Sequence, residues 1–480
     1  MSKRNSEDIL IGREREIAQL KGAFASPRSE FVTVYGRRRI GKTFLVNETF
    51  KDKFIFKYTG VYNIPNRQQL AEFHTQLVSY GLESESPMPK NWFDAFHLLE
   101  KLVDNSDSKR KVIFIDEMPW MDARNSRFIP ALEHFWNGWA SSRKDLMLII
   151  CGSASSWIIK KLFKNRGGLH NRVTVKIPLR QFSLHECEML VRHLRVPASR
   201  KMIMEGYMVL GGIPYYWTKL DPQKSIPQNI NDLFFGEDAV FRNEFGYIYS
   251  SMFNTPEKYI KIIEALSGKK SGLTREEIIK KTKMESNGQL SSILDDLGEC
   301  GFVRKYCHPN RNVKDAIYQL IDCYSLFYYQ FQRNAMNADE NYWLKTIGTP
   351  RYNAWCGLSF EKICLLHSRQ IKAALGISGI MSNIFSWFIR SDENHPGVQI
   401  DLLIDRSDNV VDICEMKYAS GKYLLDARTL DNIKTKAAVL SQYLPKRKYV
   451  EPVLITSFGV AKNKYSEEIL RQITSDQLFL

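Results

Sequence analysis

The sequence lacks long apolar runs, paired cysteines and a hydrophobic N-terminal segment. No apolar run approaches the ~18–20 residues that span a bilayer, and the first ten residues, MSKRNSEDIL, contain no signal-peptide core. The eight cysteines are scattered, without a CxxC pair or histidines at zinc-finger spacing, which excludes a disulfide scaffold and a zinc ribbon. We therefore expect a cytoplasmic protein with reduced cysteines and no membrane partner.

What the sequence does contain is ordinary globular composition, great length and a strong positive charge. Its 480 residues exceed what one hydrophobic core usually supports, which predicts several domains. The formal net charge of +15 attracts polyanions over long distances, so DNA is the expected macromolecular partner. A solvated basic surface, or one that serves only nucleotide phosphates, would give the same composition.

A glycine-rich loop between an apolar strand and a helix predicts a phosphate-binding site. The strand is FVTVY at 31–35, the helix-like segment is FLVNETF, and GRRRIGKT between them matches the GxxxxGK[ST] pattern. In this pattern backbone N–H groups and the helix N-terminus hold phosphates, the lysine reaches the β- and γ-phosphates and the hydroxyl binds Mg²⁺. The predicted ATP-binding residues of the loop are Gly36, Arg37, Arg38, Arg39, Ile40, Gly41, Lys42 and Thr43.

Two further strands end in polar residues that suit the same site. KVIFI at 111–115 is followed by Asp116 and Glu117, as in a Walker B segment, at the strand ends where open α/β sheets bind ligands. We expect Asp116 to hold Mg²⁺, and Glu117 to orient and polarise the attacking water as the catalytic base. The strand LMLIIC ends before Ser153, a candidate sensor of the γ-phosphate, although an ordinary strand-ending turn would look the same.

These motifs, together with two others in a fixed order, resemble prokaryotic AAA+/STAND-type ATPases related to the origin-recognition-like archaeal family. The resemblance rests on IGRERE (11–16), the P-loop, FIDE (114–117), GSAS (152–155) and GGIPYY (211–216). It implies that Gly12 and Arg13 fold over the adenine and that Pro214, in a helical lid, approaches the nucleotide.

Two arginines after the third strand bear on assembly. Arg166 and Arg172 are candidates for an arginine finger that would act on the ATP of a neighbouring subunit in a homo-oligomer. The alternative is that both are solvated surface charges.

The middle of the chain is predicted to be helical. Apolar spacing over 181–250 predicts an amphipathic lid, and three helix-like segments after Pro256 predict a winged helix over 251–345. The third of these helices would face the DNA major groove, while lysines would contact phosphates: Lys269, Lys270, Lys280, Lys281 and Lys283. Winged helices also serve as spacers or protein-binding modules, which is the alternative interpretation.

The last region, 346–480, carries the ID…ExK pattern of the PD-(D/E)XK nuclease fold. Asp401 lies in one predicted strand, Glu415 and Lys417 share a face of its hairpin partner, and Glu361 lies in a helix upstream. Asp401 and Glu415 would be ligands of Mg²⁺ ions that activate water at a phosphate, and Lys417 would orient that water. An exposed edge strand that contains ExK by chance is the alternative.

The C-terminal region also resembles the domain of unknown function that often follows archaeal-type ATPases, itself considered similar to the PD-(D/E)XK fold. Ile400 precedes Asp401 where the name of the fold has proline, a departure that leaves the carboxylates in place. Some domains of this fold have lost cleavage, so the resemblance indicates the fold better than the activity.

The sequence as a whole predicts an α/β chain with four parts. These are a P-loop AAA+ core (1–180), a helical lid (181–250), a winged helix (251–345) and a PD-(D/E)XK-like α/β domain (346–480). The predicted function is an ATPase coupled to DNA binding and to Mg²⁺-dependent DNA cleavage. The alternatives are a STAND-like switch whose C-terminal domain binds DNA or a partner without cleaving, and a chaperone-like ATPase that acts on proteins.

Overall fold

The structure is a computed structural model that describes residues 10–153, 155–164, 167–306, 316–335, 341–389, 391 and 397–480. The chain divides into two compact units, Met1–Arg180 and Gln181–Leu480. Within the described ranges, no helix is both long and apolar enough to cross a membrane.

The first unit is built on a five-stranded sheet in the order β2-β3-β4-β1-β5. Its strands are β1 (Glu30–Tyr35), β2 (Phe54–Thr59), β3 (Lys111–Asp116), β4 (Leu146–Gly152) and β5 (Val175–Pro178). All neighbours pair in parallel, so the carboxyl ends of the strands meet at one edge. β3 and β4 are buried along their whole lengths, which explains why they read as continuous apolar runs.

The helices of the first unit pack around this sheet and form an aromatic core. They are α1 (Glu14–Ala25), α2 (Lys42–Thr49), α3 (Asn66–Ser79), α4 (Trp92–Asp104), α5 (Phe128–Gly138) and α6 (Ser155–Ile158), with short helical turns at Met118–Met121, Ala140–Ser142 and Ile159–Phe163. Trp92 lies 5.4 Å from Phe73 and 5.0 Å from Phe128 between ring centroids, in edge-to-face contacts that link three helices. This packing fixes the sheet whose edge carries the polar motifs.

The second unit begins with helices, as the apolar spacing predicts. They are α7 (Leu184–His193), α8 (Arg200–Leu210), α9 (Pro214–Trp217), α10 (Ile226–Phe234) and α11 (Glu244–Met252). α7 and α10 begin with capping boxes at Ser183 and Ser225. In each box the serine hydroxyl accepts from the backbone N–H three residues later, and the side chain of that residue accepts from the backbone N–H of the serine.

Three helices and a small antiparallel sheet follow. The elements are α12 (Pro256–Ser267), β6 (Leu273–Thr274), α13 (Arg275–Thr282), α14 (Gly288–Glu299), β7 (Val303–Tyr306) and β8 (Ile317–Leu320), and then α15 (Cys323–Phe327), a helical turn at Tyr328–Gln332 and α16 (Tyr342–Thr346). β8 lies between β6 and β7 and pairs with both in antiparallel fashion.

The chain ends in a five-stranded mixed sheet with the order β13-β12-β11-β10-β9. Its elements are α17 (Pro350–Leu366), α18 (Ser368–Ala374), β9 (Ser382–Ile389), β10 (Val398–Arg406), β11 (Val410–Lys417), α19 (Ala427–Gln442), β12 (Tyr449–Thr456) and β13 (Arg471–Thr474), with helical turns at Ser466–Glu468 and Ser475–Phe479. β10 and β11 form the predicted hairpin, whereas β11 and β12 are parallel and are therefore joined by a crossover through α19.

Candidate functional site

The glycines of the GRRRIGKT loop adopt conformations that other residues disfavour. Gly41 caps the N-terminus of α2 with a φ of 88°. Gly36 has a φ of 154°, and a Cβ there would lie 2.3 Å from the carbonyl oxygen of Leu179. The loop thus turns sharply from β1 into α2, with the helix N-terminus at the carboxyl edge of the sheet, where a phosphate can bind.

Lys42 is buried inside the loop, although lysine is seldom buried without partners. Its Nζ donates to the carbonyl oxygens of Gly36 at 2.9 Å and Arg37 at 3.0 Å. Ile40 is also buried, whereas Arg38 is exposed. The ammonium is therefore enclosed by the loop that would hold the phosphates, and its backbone partners are ones that phosphate oxygens can replace.

Gly12 and Arg13 lie beside this loop in the first unit. Both have left-handed backbones with a φ of 65°, and both are buried. An Nη atom of Arg13 lies 3.4 Å from the carbonyl oxygen of Ile40 and donates to it. Their predicted contact with the adenine stays a prediction, but their position against the P-loop agrees with it.

Thr43 and Asp116 meet at the same edge of the sheet. The Thr43 hydroxyl donates to Asp116 Oδ2 at 2.6 Å, and Asp116 Oδ1 accepts from the backbone N–H of Glu117 at 2.9 Å. Burial raises the pKa of Asp116 despite the opposing hydrogen bond from Thr43. A buried carboxylate beside a hydroxyl is a donor set that Mg²⁺ prefers, so these residues fit a magnesium ion bound with the nucleotide.

Glu117 is held in place by the residue that follows β4. Its Oε2 accepts from the backbone N–H of Ser153 at 3.1 Å and from the Ser153 hydroxyl at 2.9 Å. The contact forms because β4 lies between β3 and β1 and brings Ser153 next to Glu117. Ser153 was expected to sense a phosphate; in this structure its hydroxyl binds the predicted catalytic base.

Gly60 also shapes this corner and was missed by sequence reasoning. A Cβ at Gly60 would lie 2.7 Å from the carbonyl oxygen of Glu117, whose backbone has a φ of 44°. The residue before it ends β2, so a glycine directly after a predicted strand was the only available signal.

The remaining predicted residues of the ATP site lie elsewhere in the chain. Arg172 is exposed in the first unit, and Arg166 lies outside the described residues. Pro214 begins the short helix α9 in the second unit. Their roles at the nucleotide stay predictions.

The hairpin of β10 and β11 forms the second candidate site. Leu402 pairs with Cys414, so Asp401 and Glu415 come at neighbouring positions on the two strands. The half-buried Asp401 accepts a hydrogen bond from Gln399 Nε2 at 2.7 Å. This brings two of the predicted carboxylates to the same part of the sheet.

Glu415 is paired with two lysines. Lys417 lies 2.9 Å from one carboxylate oxygen, and Lys436 of α19 lies 2.7 Å from the other. Burial acts to raise the pKa of Glu415, but the two lysines outweigh it and the pKa lies below its usual value. Lys436 was missed because it contacts Glu415 only through the crossover that follows β11.

Glu361 of α17 also pairs with a lysine, Lys270, at 2.5 Å. Its other oxygen, Oε2, is buried and makes no hydrogen bond with any residue in the described ranges. Burial and the nearby Asp401 carboxylate raise the pKa of Glu361, although Lys270 opposes them. Burial lowers the pKa of the adjacent Lys362 to about 8.

These carboxylates do not assemble into a metal centre in this structure. Among the residues that the structure describes, no group of three or more His, Cys, Asp or Glu side chains could hold a metal ion. Asp401, Glu415 and Glu361 have suitable chemistry, but lysines engage the last two. The predicted Mg²⁺ site therefore does not fit the side chains as they stand.

The sequence matches a family described as an ATPase domain predominantly from Archaea, over residues 10–220. The uncharacterized protein MJECL04 of Methanocaldococcus jannaschii is 24% identical over 422 residues, which cover 85% of this chain and 88% of that protein. The family match contains the P-loop, Asp116, Glu117 and Ser153.

Two solved structures are similar over most of their own lengths. The Walker-type ATPase PABY2304 of Pyrococcus abyssi has a TM-score of 0.48 at 15% identity and covers 66% of this chain and 95% of its own. The ORC2 protein of Aeropyrum pernix has a TM-score of 0.41 at 15% identity and covers 72% of this chain and 98% of its own. Neither likeness adds to the family match, which supports ATP binding and hydrolysis by residues 10–220.

Proposed function

We propose that Glu117 is the general base of ATP hydrolysis and that this ATPase is coupled to DNA binding and DNA cleavage. The observation that carries the first part is the placement of Glu117, which Ser153 holds through two hydrogen bonds beside the Thr43–Asp116 pair. A carboxylate fixed within reach of the γ-phosphate position is the arrangement that water activation needs.

The residues of the loop perform the binding. Lys42 exchanges its bonds to the carbonyl oxygens of Gly36 and Arg37 for phosphate oxygens, and backbone N–H groups at the start of α2 donate to the same phosphates. Thr43 and Asp116 would hold Mg²⁺, which when bound neutralises charge on the β- and γ-phosphates. Glu117 orients the attacking water and accepts its proton.

Ser153 determines when Glu117 is available to act as the general base. Its hydroxyl bonds Glu117 in this structure, and the same hydroxyl can donate to a γ-phosphate oxygen as the predicted sensor. When ATP draws the hydroxyl away, Glu117 keeps the backbone N–H bond and turns toward the water. The base is thus freed only when the nucleotide is present.

DNA association is proposed for the segment α12–β8, which we interpret as a winged helix. Its order of helix, strand, two helices and two strands supports this interpretation. Lys280, Lys281 and Lys283 are exposed at the end of α13 and provide phosphate contacts. Asp295 and Glu299 are exposed on α14 and repel a nucleic acid, so contact with phosphates is favoured over base readout in the groove.

DNA cleavage is proposed for the C-terminal domain. The succession of α17, three antiparallel strands, α19 and a parallel strand supports a PD-(D/E)XK-like fold, with Asp401 and Glu415 on neighbouring positions. Lys417 on the same strand as Glu415 supplies a cation for the phosphate.

A second candidate function is a switch in which ATP drives assembly and the C-terminal domain only binds. The observation that favours it is the pairing of Glu415 with two lysines, because a carboxylate neutralised in this way is a poor ligand for a metal ion. The two functions differ in whether Asp401 and Glu415 are needed for chemistry.

The test is DNA cleavage and ATP turnover measured in the same samples, with Mg²⁺ or Mn²⁺ and with or without ATP. We expect Asp401→Ala and Glu415→Ala to lose cleavage but keep ATP turnover, and Lys42→Ala to lose turnover. Asp405→Asn is the matched control, because Asp405 is at the far end of the same strand and binds Lys448. ATP turnover without cleavage of any plasmid or linear DNA by the native protein would favour the switch.

A further inference from the structure

Gln69 of α3 joins two loops that follow neighbouring strands of the parallel sheet. The residue is 2% exposed, and its amide uses both of its donors and both of its acceptor positions. Nε2 donates to the carbonyl oxygens of Val61 at 2.9 Å and Trp120 at 3.1 Å. Oε1 accepts from the backbone N–H of Val61 at 3.0 Å and from the Tyr58 hydroxyl at 2.9 Å. Because carbonyl groups only accept and backbone N–H groups only donate, these partners determine the orientation of the amide.

One of these loops contains Glu117, the proposed general base. The backbone N–H of Trp120 donates to the carbonyl oxygen of Glu117 at 3.0 Å and closes the helical turn Met118–Met121. The carbonyl oxygen of Trp120 then accepts from Gln69. Glu117 itself has a φ of 44°, a left-handed backbone that is unfavourable for a residue with a Cβ. Such a conformation persists only where the surrounding structure holds it, so the bond from Gln69 to this turn bears on the base.

The other loop, which follows β2, contacts the same stretch of backbone. The N–H of Gly60 donates to the carbonyl oxygen of Asp116 at 3.0 Å. Gly60 also lies so close to the carbonyl oxygen of Glu117 that a Cβ would be only 2.7 Å from it. Val61, the next residue, is bonded to Gln69 through both its N–H and its carbonyl oxygen. Gln69 is therefore connected to the backbone of Glu117 through this loop as well as through the turn.

We propose that Gln69 is a positioning residue for ATP hydrolysis, which fixes the backbone that carries Glu117 while Ser153 holds the carboxylate. Gln69 is buried and its hydrogen-bonding positions are all occupied, so it acts on the reaction through Glu117 rather than through a bond to ATP. A neutral amide suits this role, because it satisfies two carbonyl groups and an N–H without adding a charge near the base. The proposal rests on the proposed function of Glu117 and adds the residue that positions it.

The experiment measures single-turnover ATP hydrolysis by the full chain with Gln69→Leu or Gln69→Met, apolar changes that remove all four hydrogen bonds of the side chain. Each is made in the native chain and in a Glu117→Gln chain. With Glu117 present, the rate should fall about 10- to 10²-fold, the effect of a small displacement of a catalytic group. The affinity for a fluorescent ATP analogue should change less than about twofold, because the phosphate-binding loop is untouched. In the Glu117→Gln chain the same changes should lower the residual rate less than about twofold, because no base is left to position.

A matched control separates positioning from a general loss of stability. Leu77 is a fully buried residue of the same helix, so Leu77→Ala leaves a cavity and destabilises the first unit without removing any bond to the two loops. Its urea midpoint should fall at least as far as that of Gln69→Met, while its single-turnover rate stays near that of the native chain.

Three results would overturn the positioning role. They are a native rate with Gln69→Leu and Gln69→Met, an equal fold-loss when these changes are made in the Glu117→Gln chain, and an equal fold-loss with Leu77→Ala. A failure of the proposed base would look different, because Glu117→Gln alone would then hydrolyse ATP at the native rate, before any change at Gln69.

Discussion

The acidic residues of the ATP site and those of the C-terminal site have different kinds of partners. Asp116 and Glu117 are bonded by hydroxyl and backbone N–H groups, which a nucleotide and its metal can replace at small cost. Glu361 and Glu415 are instead paired with lysines. The first site is therefore ready for its ligand, whereas the second must exchange charges before it can bind a cation.

The origin of the partners explains this difference. The P-loop, Asp116, Glu117 and Ser153 lie at the carboxyl ends of strands of one parallel sheet, so the sheet aligns them. Lys417 shares β11 with Glu415, but Lys436 comes from α19 and Lys270 from the segment before β6, and these two lysines depend on tertiary packing. The first site is therefore set by the topology of the sheet, and the second by side-chain packing that can change.

The largest expected effect is at the ATP site. Glu117→Gln keeps the shape of the side chain but cannot accept a proton, so kcat should fall about 10²- to 10⁴-fold. ATP binding, measured by a fluorescent analogue, should stay within a few-fold of native. Glu72→Gln, an exposed change on α3, is the control. Full ATP turnover by Glu117→Gln would show that Glu117 is not the general base. The ATP site would then not be ready for its ligand in the sense described above.

The second prediction concerns a buried histidine that stabilises the second unit. His367 Nε2 accepts from the backbone N–H of Leu184 at 2.9 Å, and Nδ1 lies 2.8 Å from the carbonyl oxygen of Ile363. The neutral ring with its proton on Nδ1 satisfies both contacts, and burial lowers the pKa of His367 to about 4.

The direction in which stability changes with pH follows from the number of protons that the folded and unfolded states bind. Between pH 6.5 and 4 the unfolded chain protonates this histidine and the folded chain does not, so stability is lost as pH falls through that window. The loss should approach about 3 kcal/mol in the free energy of unfolding. His367→Gln, whose amide oxygen can accept from Leu184, should flatten this dependence in urea titrations followed at several pH values. An identical pH profile for the variant would contradict the assignment.

The third prediction tests the lysine pairing directly. Lys436→Met leaves the half-buried Glu415 with Lys417 alone, and we expect a loss of about 1–3 kcal/mol in stability by thermal or urea unfolding. Lys434→Met on the same helix breaks an exposed pair with Glu468 and should cost less than about 0.5 kcal/mol. Equal effects of the two changes would show that Glu415 does not depend on its second lysine.

The smallest effect is expected at Ser153. Ser153→Ala removes the hydroxyl that would donate to a γ-phosphate oxygen and keeps the backbone N–H bond to Glu117, so kcat should fall about fivefold, the effect of about 1 kcal/mol. The KM for ATP should change little, since Lys42 and the loop amides still hold the phosphates. Ser142→Ala, an exposed serine that bonds only locally, is the control. A kcat above that of the native enzyme would mean that Ser153 restrains Glu117 more than it assists.

The sequence predicts the ATP site better than the C-terminal one, for a physical reason. Gly36 lies in the loop that leads directly into α2, which Lys42 and Thr43 begin. Asp116 ends the buried strand β3 and Ser153 directly follows β4, so chain position and sheet rules suffice to bring these residues together. The β10–β11 hairpin is also local, which made the neighbouring positions of Asp401 and Glu415 predictable.

Contacts made by long side chains across elements could not be predicted in this way. Lys436 is 21 residues from Glu415 and Lys270 is 91 residues from Glu361 in sequence. Nothing in their local patterns distinguishes them from other solvated lysines. The bond between Ser153 and Glu117 also escaped prediction, because sequence indicates which strands end in polar residues but not which polar groups bond before ligand arrives.

The bond between His367 and Leu184 has a consequence for engineering the chain. Leu184 begins the first helix of the second unit, yet the group that accepts its backbone N–H comes from the end of α17, 183 residues later. A fragment that stops before α17 would leave this buried amide without its acceptor and would expose the face that α17 covers. The helices at the start of the second unit are therefore not a portable module, and a shortened protein made to study them should retain the C-terminal region.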